Sequence, residues 1–163
     1  MLKKVIFSLF ALTVVFSGFA HVRPAQAASM GDVIMCPGFP SAYYWAEDGS
    51  RYVFPNLKMY HSWYSDFDNL SMISCSDMSS ISLGGLVNYQ PGSRLVKLTT
   101  WPVVYFVSPF GELRPIASES QALELFGPTW ALEIDDLPDV FFTQYTIGDE
   151  ITDGELPAGM FME

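Results

Sequence analysis

Tyr43-Tyr44-Trp45-Ala46-Glu47-Asp48-Gly49-Ser50-Arg51-Tyr52-Val53-Phe54 is an aromatic, β-prone run, a turn holding a glycine, and a second β-prone run. About 62 residues later, Val104-Tyr105-Phe106-Val107-Ser108-Pro109-Phe110-Gly111-Glu112-Leu113-Arg114-Pro115-Ile116 follows the same order. Each reads as a β-hairpin, because aromatic and β-branched residues suit a pleated, half-buried surface and the turn carries glycine. Gly49 and Gly111 stand where the turn needs positive φ. A helix start follows each hairpin. Asn56 precedes Leu57, Tyr60, Trp63, Tyr64 and Phe67, which lie near helical spacing. Ser118-Glu119-Ser120-Gln121 is a capping box, followed by Ala122, Leu123, Leu125 and Phe126, with Gly127 as the stop.

The ends of the two stretches also correspond. Ile73, Asp77, Met78 and Leu83-Gly84 parallel Ile134, Asp139, Val140 and Ile147-Gly148. Leu137-Pro138-Asp139 is a further helix start with proline near the first helical position. Arg94 to Thr99 alternates and reads as a strand joining the units. The expected fold class is therefore α+β: two related β-hairpin–helix units with short helices, packed around a shared aromatic core.

The segments divide as follows. Residues 1–27 read as a signal peptide: Lys3 and Lys4, an uncharged run from Val5 to Ala20, then Ala25-Gln26-Ala27 as a cleavage site before Ala28. The run is shorter than the ~20 residues that span a bilayer. Residues 28–41 form an N-terminal arm, 42–92 the first unit, 93–102 a linking strand, 103–151 the second unit and 152–163 an acidic tail. The chain after the leader holds no second apolar run of spanning length, so secretion or the cell envelope is the expected location.

The hairpin and helix residues resemble a known pattern. Gly49-Ser50-Arg51-Tyr52-Val53-Phe54-Pro55-Asn56, Ser62-Trp63-Tyr64-Ser65-Asp66-Phe67, Leu83-Gly84-Gly85 and Tyr89-Gln90-Pro91-Gly92 are similar to a repeat module of secreted or surface-attached bacterial proteins (G-x-R-Y-x-F-P-N … S-W-Y-x-D-F … L-G-G). Val104 to Val107 and Leu113 to Glu119 resemble its second half, so the likeness covers about residues 43–151. It implies an exported structural or adhesive module and carries no catalytic residues. Cys75 departs from the pattern.

Charge excludes one class of partner. The chain has 18 Asp+Glu against 8 Lys+Arg, a net charge of −10, and phosphate backbones need clustered bases, so no nucleic acid is expected. Removing the leader costs Lys3, Lys4 and Arg23 and no acid, giving −13. Residues 28–111 hold six acids and four bases; residues 112–163 hold twelve acids and Arg114.

Glu133, Asp135, Asp136 and Asp139 are candidate ligands for Ca²⁺, as hard oxygen donors at high density, although the calcium-loop motif is missing; the alternative is a solvated, repulsive face. No other cofactor is implied. Cys36 and Cys75 are candidates for a disulfide in an oxidising compartment, against two buried thiols or an intermolecular link. His61 is the one histidine after the leader and has no nucleophile or metal spacing around it. No catalytic residue is assigned.

Tyr43, Tyr44 and Trp101 are candidate binding residues, as rings placed at a strand edge and a linker, where they stack on sugars or peptide partners. The function expected is recognition or adhesion at the cell surface or envelope, with a polysaccharide or an exported protein as partner. The alternatives are a secreted hydrolase using paired carboxylates and a Ca²⁺-stabilised surface protein.

Overall fold

A computed structural model describes residues 28–152. The expected signal peptide and all of the expected acidic tail beyond Thr152 lie outside the described residues. The chain is α+β, with two sheets and a few short helices.

Strands β1 (Val33–Met35), β2 (Tyr43–Trp45) and β3 (Arg51–Val53) form an antiparallel meander. Helix α1 (Leu57–Trp63) leads to β4 (Leu70–Met72), which returns parallel to β1. Helix α2 (Cys75–Ser80) leads to β5 (Leu83–Leu86), parallel to β3. The sheet order is β4-β1-β2-β3-β5.

The second sheet is laid out in the same way. Strands β6 (Leu95–Leu98), β7 (Val104–Val107) and β8 (Leu113–Pro115) form the meander. Helix α3 (Glu119–Phe126) and a 3₁₀ turn (Trp130–Glu133) precede β9 (Ile134–Leu137), parallel to β6. Helix α4 (Asp139–Phe142) then leads to Ile147, which bridges Leu113 of β8 in parallel, in the place β5 takes beside β3.

Local chemistry explains the elements. In the first hairpin the N–H of Ala46 donates to Ser50 and that of Gly49 to Ala46; in the second, Ser108 donates to Glu112 and Gly111 to Ser108. Gly49 and Gly111 both have φ of +80°, a conformation that costs glycine nothing. Asn56 caps α1 by accepting from the N–H of Met59, and Ser118 caps α3 by accepting from that of Gln121. The capping box closes differently from its expected form. Gln121 Oε1 accepts from Ala117, one residue before the cap, while its Nε2 donates to the carbonyl of Ile151.

Both faces of each sheet are covered, so adjacent strand residues are buried on opposite sides. Val33 packs with Phe54 and Tyr60 of α1, and Ile34 with Met78 of α2. Leu95 and Phe106 pack with Ala122, Leu125 and Phe126 of α3. The opposite face of the second sheet holds the core shared by the two units: Met59 of α1 joins Tyr89, Val96, Tyr105, Leu137 and Tyr145.

That junction corrects the expected face of α1. Leu57, placed inward by spacing, is 63% exposed, whereas Met59 is 1% exposed. The helix serves two surfaces. Tyr60 faces its own sheet, Lys58 and Met59 face the second unit, and Ser62 and Trp63 face the segment that follows β5. Ser62 Oγ accepts from the N–H of Gln90, Trp63 Nε1 donates to Asn88, and Lys58 pairs with Asp135 at 2.5 Å. The helix also stops at Trp63, with Tyr64 already extended, so Phe67 lies beyond it.

The segments expected as an arm (28–41) and a linker (93–102) supply β1 and β6, the first strand of each meander. Their partners include the return strands β4 and β9, far along the chain, which local pattern does not reveal.

Candidate binding pocket beside the disulfide

Cys36 follows β1 directly and Cys75 opens α2. The parallel pairing of β1 with β4 brings those ends together, and the two residues form a disulfide with 5.1 Å between Cα atoms. Gly38, with φ of +85°, turns the chain after Cys36 and leaves Phe39 62% exposed.

Strand alternation separates the two tyrosines proposed from sequence. Tyr43 packs with Ile34, Cys36 and Met78, on the disulfide side; Tyr44 packs on the α1 side. Neither is at an edge: β2 is the central strand of five, because the arm contributes β1 on its outer side. Both rings are half-buried. Trp101 is in the other unit, after β6, and is 57% exposed.

Arg51 of β3 lies opposite Trp45 in register, one diagonal step from Tyr43. Its guanidinium carbon sits 5.0 Å from the centre of the Tyr43 ring, within cation–π range. Its Nη1 donates to the carbonyl of Met78 at the end of α2. Together Arg51, Tyr43, Phe39, Ser41, Met78 and the disulfide line a cavity of about 230 Å³.

Arg51 differs from the other cations. Lys58 pairs with Asp135, Arg94 with Glu133 and Asp135, and Lys97 with Asp136. Arg114 donates to the carbonyls of Asp149 and Glu150. Among the described residues Arg51 makes no ion pair, and its Nε–H is buried without an acceptor.

The four acids considered for Ca²⁺ are occupied individually. Asp135 is buried and held by Lys58 and Arg94; Asp136, next along β9, is exposed on the opposite side and held by Lys97. Glu133 meets Arg94 at 3.2 Å. Asp139 accepts from Thr99 at 2.8 Å and from Thr100. The hydrogen bond and charge of Lys97 lower the Asp136 pKa, and the Thr100 and Thr99 hydroxyls lower that of Asp139. Among the described residues no group of three or more His, Cys, Asp or Glu is arranged to hold a metal.

A second cavity, about 310 Å³, lies beside the start of α3 and is lined by Trp130, Pro102, Ile116, Ser118 and Glu119 among others. It holds one carboxylate and the disulfide cavity none. His61 is exposed, its Nδ1 3.0 Å from the carbonyl of Tyr64, and its ring packs edge-on to Tyr60 and Phe67. Among the described residues no helix is long and apolar enough to cross a membrane.

The pocket thus unites Tyr43, Cys36 and Cys75 and leaves out Tyr44, Trp101 and the acids. Sequence reasoning missed Arg51 and Phe39. The usable signal was Arg51 itself, a base in a strand whose hairpin register sets it diagonal to Tyr43. Comparison with known proteins finds no family model that matches the chain, and no curated protein or solved structure that matches it significantly.

Proposed function

We propose that this chain is an exported, non-catalytic recognition or adhesion module, and that the first unit engages its partner, a polysaccharide or another exported protein, through the pocket beside the disulfide. The observation that carries this reading is the cavity itself, in which an exposed aromatic ring, a guanidinium within cation–π range of a second ring and a covalent staple meet. The leader-like residues 1–27 support export, and so does the disulfide, since such bonds persist in oxidising compartments. A paired-carboxylate hydrolase needs two facing acids. Neither of the two cavities described above sets two carboxylates facing each other.

The two units are read as copies of one β-β-β-α-β-α-β element. Four strands in matching order, a bridge at Ile147 in the place of the fifth, equal turn bonding and equal cap positions support this reading. Gly84 and Gly148 add to it. A Cβ on Gly84 would come within 2.5 Å of the Tyr52 ring, and one on Gly148 within 3.1 Å of Arg114 Cγ, so the residue after the start of β3 or β8 lies over glycine in both units.

Immobilised protein beginning at Ala28 tests the function against envelope polysaccharides and exported proteins. Retention of one class, weakened in Phe39→Ala, is the expected result. Retention of neither, or retention untouched by Phe39→Ala, contradicts it.

A further inference from the structure

We infer that the pocket beside the disulfide is a carboxylate site, and that the ligand it takes is a uronate residue of an acidic polysaccharide. This rests on the recognition reading above and names the chemistry of the same site.

Charge identifies the group. Arg51 is a guanidinium with no carboxylate partner among the described residues, in a chain with a net charge of −10. Among the described residues three of the other four cations are spent on acids. Its Nη1 is committed to Met78, and its Nε is covered. Nη2 makes no hydrogen bond among the described residues and is not buried, so it is the donor left for a ligand. The Tyr43 ring and the bond to Met78 restrain the guanidinium, which lowers the cost of ordering it on binding. A single guanidinium balances a single negative charge. A phosphate monoester, which carries more than one at neutral pH, would remain half-compensated here.

The rest of the lining identifies the body that bears the carboxylate. Phe39 offers an exposed ring face, which suits the C–H face of a pyranose. Ser41 has no hydrogen-bond partner among the described residues, and Ser79 donates to Ser76 with its lone pairs to spare. Two hydroxyls and a ring face match a sugar with its own hydroxyls. An Asp or Glu side chain would leave all three unused. The cavity of about 230 Å³ is of single-ring scale.

The test is calorimetric titration of the full chain after the leader with three probes: a galacturonate trisaccharide, its methyl ester, and a glutamate-rich peptide of equal charge. Binding of the trisaccharide, weakened about tenfold or more by esterification, is expected, because a charge-assisted hydrogen bond is removed. Arg51→Gln should produce a similar loss, and Phe39→Ala, which changes an exposed ring and leaves the core intact, a smaller one. Equal binding of acid and ester overturns the proposal, as does preference for the peptide. If none of the probes binds while envelope material is still captured in a Phe39-dependent way, the uronate assignment fails and the recognition reading stands. If capture fails as well, both fall.

Discussion

Asp139, set against Asp77 by sequence order, stands in the second unit where Cys75 stands in the first, because the return strands β4 and β9 pair in the same register. Each opens the short helix after the parallel return strand, and each ties back to the end of its unit's first strand. Cys75 does so through a covalent bond to Cys36; Asp139 does so by accepting from Thr99 and Thr100, just past β6. The same closure is thus made once by sulfur and once by a carboxylate. The two units should respond to different chemical challenges.

Reduction should weaken the first closure. The disulfide joins residues 39 apart, and on the chain-entropy model a loop of that size contributes about 4 kcal/mol. Urea unfolding with and without reductant should show a lower midpoint in the reduced protein. An unchanged midpoint would contradict the role given to the bond.

Acid should weaken the second. The pKa of Asp139 is depressed by its threonine hydroxyls, so its contribution is complete above the ordinary carboxylate value of about 3.9 and fades as pH falls through the lower folded value. Asp139→Ala should therefore be less stable than the natural chain at pH 7, and the gap should close in strong acid. A gap that persists at low pH would mean that the carboxylate charge is not what stabilises α4.

Alkali should act on the tyrosines. Burial, reinforced by the negative charge of Asp135, raises the pKa of Tyr89, and burial raises those of Tyr145, Tyr60 and Tyr64. Above the ordinary phenol value of about 10, the unfolded chain loses protons that the native chain keeps, so stability must fall as pH rises. Denaturation midpoints between pH 8 and 12 check this; a flat profile would refute it.

The junction between units rests on α1. Met59→Ala removes a fully buried side chain from the shared core and should cost about 2–5 kcal/mol, whereas Leu57→Ala, on the exposed side, should stay within about 0.5 kcal/mol. Equal effects in urea unfolding would show that the helix face is wrongly assigned.

Features carried by neighbouring residues were readable from the sequence. The turns at Gly49 and Gly111, the caps at Asn56 and Ser118 and the stop at Gly127 depend on a few consecutive positions. Features carried by distant pairing were not. Tyr43 looked like an edge residue because nothing near it announces that Val33 and Ile34 pair on its outer side. Leu57 looked buried because α1 serves two surfaces, and periodicity encodes only one. Arg51 was visible as a residue of the hairpin, but its lack of an ion pair among the described residues emerged only once the other described bases had a position in space. The four acids looked like a ligand set because they are close in sequence; strand alternation and nearby bases divide them.

The most direct measurement is of where the partner sits. Backbone amide shifts of the chain should be recorded by NMR as the envelope fraction it retains is added. Perturbations centred on Phe39, Tyr43, Arg51 and Met78 of the first unit are expected. Perturbations centred on Trp130 and Glu119 of the second unit, or none at saturating fraction, would contradict that placement.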